Sequence, residues 1–227
     1  MLQKKRERKT LNEKMNPKNF YFKKSPEFKK LSEIYPEFSK FVFMNRYGNY
    51  SINWKNKNAV KELCRTLLKH DFKIDYWDIP EGFLIPSITS RCNYICWIHD
   101  LLEESKMLNS KITIKGLDIG TGANIIYPLL GHKIYSWEFK CSDVNPEAIK
   151  IAKEILFKNN LQDKIVLTHQ KEMKNIFKNV IDLKCDGIFH FSMCNPPYFC
   201  LGDEVKNDNP NTVMRLHLMF RYVNIMN

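Results

Sequence analysis

No apolar stretch approaches the roughly 20 residues that a membrane-spanning helix needs, because charge interrupts every hydrophobic run. The N-terminus carries positive charge without an apolar segment behind it, so it does not read as a secretory leader. The seven cysteines form no C-x-x-C pair. Cys92 and Cys96 would share a helix face, but no second Cys/His pair follows at zinc-site spacing. The expectation is reduced core thiols in an intracellular protein, and no metal. Internal repeats and low-complexity blocks are missing too.

What is present is charge, unevenly placed. Residues 1–30 hold 11 Lys and Arg against 3 Asp and Glu, so 8 of the 11 net positive charges lie there. A basic arm on a nearly balanced body suits a polyanionic partner through counterion release. It also suits a solvated tail, or an import patch at Lys4-Lys5-Arg6-Glu7-Arg8-Lys9. At 227 residues and 44% hydrophobic content, the chain is one large domain or a domain with an extension.

Residues 1–18 are poor in apolar side chains, and disorder is expected. From Asn19 to Phe43 aromatics interleave with lysines, which suits either a nucleic-acid surface or a small helical core. Phe38 and Phe41 are expected in a core; Phe20 to Lys24 stay open. Arg46 to Trp54 reads as a turn and a short strand. Asn58 is the expected cap of a helix with Val60, Leu63, Cys64, Leu67 and Leu68 on one face. Pro80 and Pro86 fix an extended linker. A second helix follows, with Arg91 in its first turn. That is an unfavourable end for a cation, and it leaves either a surface charge or a contact to a carboxylate.

From Ile112 the period changes. Strand 112–118, helix 123–131, strand 134–142, helix 146–159, strand 164–168, helix 172–181 and strand 187–193 alternate as βαβ units do, implying a parallel sheet. Ligands of such sheets bind outside the carboxyl ends of the strands. The first strand runs into Gly116-Leu117-Asp118-Ile119-Gly120-Thr121-Gly122-Ala123-Asn124. Gly120 and Gly122 permit a tight turn with close backbone approach. Asp143 ends the next strand, where a carboxylate can accept the hydroxyls of a ribose. A dinucleotide fingerprint wants a small residue where Ile125 stands. S-adenosylmethionine, which has no phosphate, suits Asp118, Gly120 and their neighbours better.

The last strand runs into Asn195-Pro196-Pro197-Tyr198. Two prolines make a rigid loop with outward carbonyls. The Asn195 side-chain oxygen and the Pro196 carbonyl can accept both hydrogens of a planar, conjugated NH₂. They would stabilise it as its nitrogen turns pyramidal during methyl transfer. Tyr198 can stack on the attached π-system.

The Asn-Pro-Pro-Tyr segment resembles that of class I amino-methyltransferases. The wider pattern is similar to the methyltransferase-like protein 16 family and its bacterial ribosomal-RNA relatives. Further segments carry the resemblance: Lys24-Ser25-Pro26-Glu27-Phe28 with Tyr35-Pro36-Glu37-Phe38, Asp78-Ile79-Pro80 with Leu84-Ile85-Pro86, Arg91-Cys92-Asn93-Tyr94, and the glycine loop continuing to Ile126-Tyr127-Pro128. It implies an α/β class I Rossmann-like sheet dependent on S-adenosylmethionine, with a small helical N-terminal region. The organisation it implies is a basic arm over 1–18, an RNA-binding helical region over 19–110, a methyltransferase core over 111–200, and a loop with an atypical end over 201–227, where the family's later strands are missing.

By position, the resemblance places Arg91 on the cofactor's carboxylate and Gly120 and Asn124 near its tail. Asp143 falls on the ribose, Asn175 near the adenine, and Asn195 between cofactor and target base. Asp118 and Gly122 complete the cofactor set. Lys18, Lys23 and Lys24 are the expected RNA contacts. The implied reaction is N6-methylation of adenosine in structured RNA, a U6 small nuclear RNA or a messenger hairpin, in the nucleus or cytoplasm. A protein-glutamine methyltransferase and a truncated, inactive RNA-binding protein are the alternatives.

Overall fold

The computed structural model describes residues 15–108, 112–172 and 175–196. The chain divides into two compact units, one of Met1–Asp78 with Leu84–Leu108, the other of Ile79–Phe83 with Asn109–Asn227.

The first unit contains α1 (Phe28–Ile34), α2 (Pro36–Ser39), a hairpin of β1 (Val42–Met44) and β2 (Tyr50–Ile52), α3 (Lys57–Phe72) and α4 (Ile88–Glu104). Leu63, Leu67 and Leu68 recur at helical spacing on α3, and all three are buried. The cap of α3 is Asn56, not Asn58: the Asn56 side-chain oxygen accepts from Asn58 N at 2.9 Å and Ala59 N at 3.3 Å. Asn58 is thus one of the amides being capped. The helix ends at Lys73, in the left-handed conformation at φ 55°. Phe38 is fully buried as expected, whereas Phe41 is only half-buried.

Disorder does not extend through residue 18. Asn16 is buried, donating its side-chain amide to Asp100 and its backbone N–H to Asn93 Oδ1. Asn19 is buried as well, and its side chain donates to the Thr89 carbonyl at 3.1 Å. Short polar side chains that meet carbonyls and carboxylates can be buried without a large desolvation penalty. Residues 1–14 and 197–227, with the expectations placed on them, lie outside the described residues.

The second unit is a parallel sheet in the order β5-β4-β3-β6. Its strands are β3 (Lys115–Ile119), β4 (Glu138–Asp143), β5 (Ile165–His169) and β6 (Phe191–Cys194), joined by α5 (Ile126–Tyr135), α6 (Pro146–Lys158) and the short α7 (Leu183–Asp186). α5 starts three residues later than expected, since Asn124 Oδ1 accepts from Ile126 N and Ile125 is left-handed at φ 44°. The expected helix over 172–181 does not form. Instead the buried Gln170 side chain donates to the carbonyls of Asn175, Ile176 and Lys178, and residues 176–180 are turns. The Asn175 carbonyl also accepts from Lys178 N at 3.0 Å, a turn bond rather than a rung of a helical ladder.

Behind the sheet's functional edge, Trp137, Phe139 and Phe191 pack with ring centroids 5.1–6.3 Å apart. They fit because Gly116 and Gly131 lack side chains. A Cβ on Gly116 would collide with Phe191 and come within 2.8 Å of Phe139. Gly116→Ala should therefore lower stability by about 1–3 kcal/mol through overpacking, read as a reduced midpoint in chemical denaturation. An unchanged midpoint would show that the ring cluster does not set the spacing of β3 and β6.

Candidate active site

Parallel pairing of β3 with β6 decides what meets what. Asp118 lies opposite Met193 and Ile119 opposite Cys194, so Gly120 and Asn195 leave the sheet as next-door residues at the carboxyl end. On its other side β3 pairs with β4 up to Ile119 opposite Ser142, which brings Asp143 to the same edge. Three strand ends thus converge.

The glycine loop is held from below. Gly120 N and Thr121 N both donate to the Ser142 carbonyl, at 2.8 and 3.0 Å. Gly122 N donates to Asp143 Oδ2 at 2.7 Å, and Asn145 N donates to Oδ1 at 2.8 Å. Gly120 is left-handed at φ +72°, and nothing lies within 4 Å of where its Cβ would be. That leaves open space beside the Gly120 backbone, where a larger residue would be strained by its positive φ and would hinder close approach of a ligand.

Asp118 is 2% exposed, and its Oδ2 accepts from Thr121 Oγ1 at 2.7 Å. Burial pushes its carboxyl up to about 7, opposed by the Thr121 hydrogen bond and assisted by the nearby Asp143 carboxylate. The buried Cys141 thiol is raised for the same reason. Beside them, Asn195 has a buried side-chain oxygen that accepts no hydrogen bond among the described residues. An unmet buried acceptor costs about 1–3 kcal/mol, so this one calls for a donor.

The sheet thus brings together Asp118, Gly120, Gly122, Asn124, Asp143 and Asn195. Asn124 is 8% exposed and its oxygen starts α5. Asn175 is exposed in the segment after β5, where its side chain donates to Glu172 at 3.1 Å and its carbonyl accepts from the Gln170 side chain at 2.9 Å. Pro196 is exposed, and Pro197 and Tyr198 lie outside the described residues. Arg91 belongs to the first unit. There it is 7% exposed on α4, which removes its reading as a surface charge.

Of the expected RNA contacts, Lys18 is held by Asp100 at 2.8 Å and Glu103 at 2.5 Å. Lys24 pairs with Glu27 at 2.9 Å, and Lys23 is exposed. Lys18 also fills the one group of His99, Asp100 and Glu103 that could hold a metal among the described residues. Sequence reasoning missed the Lys18 pairings because their partners lie 82 and 85 positions away, whereas Glu27, three residues from Lys24, was within its reach.

Comparison with known proteins fits this arrangement. The sequence matches the RNA methyltransferase family over residues 9–219. The chain belongs to that family. Among its relatives, the ribosomal RNA large subunit methyltransferase F of Christiangramia forsetii is 39% identical across 84% of this chain and 65% of its own length. The enzyme of the same name from Pseudoalteromonas translucida is 39% identical over 86% and 62%. The chain therefore spans a little under two thirds of these relatives. The N-terminal domain of human METTL16, solved in complex with SAH, superposes with a TM-score of 0.72 at 38% identity, covering 81% of this chain and 69% of that one. The human catalytic domain with a MAT2A 3′UTR hairpin gives 0.71 at 37% identity, covering 87% and 66%. The α/β fold of this family member is that of a class I methyltransferase.

The buried Asp118 sets a pH signature. Its folded value lies above the unfolded one of about 3.9, so the native state keeps a proton that the unfolded chain has lost. That stabilisation is full below about pH 4 and drains away as pH rises through about 7. Unfolding free energies of wild type and Asp118→Asn, measured from pH 4 to 8, should shift in favour of the variant as pH rises. Parallel curves would place an ionised carboxylate there throughout.

Proposed function

We propose that this protein transfers a methyl group from S-adenosylmethionine to the N6 amine of adenosine in a structured RNA. The observation that carries the reading is the unmet buried oxygen of Asn195, set one residue beyond β6 beside the glycine loop of β3. Family membership supports methyl transfer to RNA. The human relative's complexes with SAH and with messenger hairpins support the cofactor and a folded RNA substrate. The bacterial relatives carry the name of ribosomal RNA enzymes, so the substrate proposed is a structured RNA with an accessible adenosine.

The residues present fit that cofactor. Gly120 offers open space beside its backbone, Asp143 a carboxylate with lone pairs beyond the two already accepting backbone N–H groups, and Asp118 a buried acid beneath the loop. When bound, S-adenosylmethionine supplies an electrophilic methyl group on a positive sulfonium. A positive ligand near Asp118 favours the ionised carboxylate, so binding and loss of its proton assist each other.

Asn195 does the positioning at the target. An exocyclic amine conjugated to a purine is flat and weakly nucleophilic. Its two N–H groups would donate to Asn195 Oδ1 and the Pro196 carbonyl. Both acceptors hold the nitrogen as it becomes tetrahedral and positive, so their attraction grows along the reaction. No charged base is needed, because the methylated nitrogen is acidic enough to give its proton to water.

Methylation of an RNA hairpin with an unpaired adenosine, read by mass spectrometry of the digested nucleosides, tests the reading. Asn195→Ala should lower kcat by roughly 10²–10³-fold while S-adenosylmethionine binds within a few-fold of wild type. No N6-methyladenosine from wild type on any hairpin or ribosomal RNA fragment tested would defeat the proposal. So would full activity in the variant. A second expectation concerns pH: the cofactor Kd should fall as pH rises through about 7, and Asp118→Asn should abolish that slope.

A further inference from the structure

The first unit carries a small cleft remote in sequence from the glycine loop. It has a volume of about 140 Å³ and is walled by Phe20, Tyr21, Lys24, Lys30, His70 and Asp71 among others. Ligand pockets for drug-sized molecules run to roughly 300–1,000 Å³, so this one has room for a single flat ring system rather than a whole cofactor. Its chemistry is specific. Phe20 is 58% exposed, and its ring meets Tyr21 edge-on at 5.2 Å. Tyr21 is 4% exposed, and its hydroxyl donates to Asp71 Oδ2 at 2.6 Å. That bond fixes the carboxylate beside the cleft while leaving it further lone pairs.

Charge decides what the cleft would hold. Lys24 and Lys30 are matched by Glu27 and Asp71, and Lys24 is already paired with Glu27 at 2.9 Å. A charge-balanced cleft gives a phosphate no net attraction, and the Asp71 carboxylate would repel one. An uncharged ring with an N–H donor on its edge is favoured instead. It could stack on the open face of Phe20 and donate to Asp71.

We propose that this cleft is a subsite for one unpaired nucleobase bearing an exocyclic amine, such as adenine, in the RNA that the protein binds. The inference rests on the RNA reading above and adds a second point of contact to it. Unpaired bases are what proteins read in RNA, by stacking on aromatic rings and bonding to base edges. A base seated there would register the RNA on the first unit independently of the adenosine that reacts. Uracil's one edge donor, its ring N3–H, is flanked by two carbonyls that would face the Asp71 carboxylate unfavourably, whereas adenine and cytosine present an NH₂ at the rim of the edge.

The test uses the full chain and a stem–loop RNA with a single-stranded extension, made with adenosines, uridines or abasic residues in that extension, plus a blunt-ended control. Dissociation constants come from fluorescence anisotropy. For wild type, the adenosine extension should bind about tenfold more tightly than the abasic one, with uridine near the abasic value. Phe20→Ala should erase that preference and leave both the blunt stem and S-adenosylmethionine binding unchanged, a pattern that misfolding would not give. Asp71→Asn, whose amide can still accept from Tyr21 and can also donate to a carbonyl, should narrow the gap between adenosine and uridine. If wild type binds every extension equally, or Phe20→Ala weakens all four RNAs alike, the subsite does not exist while RNA binding stands. If no RNA binds at all, it is the RNA reading itself that falls.

Discussion

The site depends on one alignment, the parallel hydrogen-bonded register of β3 against β6. With Ile119 opposite Cys194, the chain leaves the sheet at Gly120 and at Asn195 in the same layer, separated by about the 4.8 Å of one strand spacing. A slip of one residue would turn Asp118 and Met193 to the opposite faces. The register is protected by packing below the edge, where Phe139 and Phe191 close over Gly116. A glycine with no part in the chemistry thereby determines how closely the two loops approach.

The glycine loop is organised before anything binds. Ser142 accepts from two of its amides and Asp143 from a third, so the end of β4 dictates the shape of the turn after β3. Ile125 shows the cost of this order. A β-branched residue in the left-handed region is strained by about 1–3 kcal/mol. Its side chain is fully buried, and that burial contributes about 1.5–3 kcal/mol in return. The two are comparable, so an isoleucine can stand where a glycine or asparagine would otherwise be expected. The same branched residue argued against a dinucleotide fingerprint on sequence grounds, and its strained backbone is why α5 begins late.

Much of this was legible in the sequence because it was local. Alternating apolar segments marked each strand of the sheet, and Asp118, Gly120 and Asp143 fell at strand ends where a parallel sheet exposes them. What the sequence could not convey was the pairing of distant groups. Gln170 binds three carbonyls of the turn that follows β5, and so a helical pattern over 172–181 becomes a turn. Asn56 and Asn58 are equivalent as capping residues until backbone angles distinguish them. Lys18 read as a free cation because Asp100 and Glu103 could not be assigned to it from composition. The buried oxygen of Asn195, without a donor among the described residues, is likewise invisible in a motif, which gives the residue but not its surroundings.

Those ion pairs alter how RNA recognition should be weighed. An exposed pair contributes little, and exchanging its carboxylate for a phosphate swaps one such interaction for another. Lys18 and Lys24 therefore add less to affinity than their charges suggest, and less counterion release than unpaired lysines would. The positive charge of residues 1–14 in the sequence can attract a polyanion, but attraction of that kind does not choose among RNAs. Discrimination among RNAs would then fall to groups that meet bases, the role proposed for the acceptors at Asn195 and Pro196 and for the exposed Phe20 ring beside the Asp71 carboxylate.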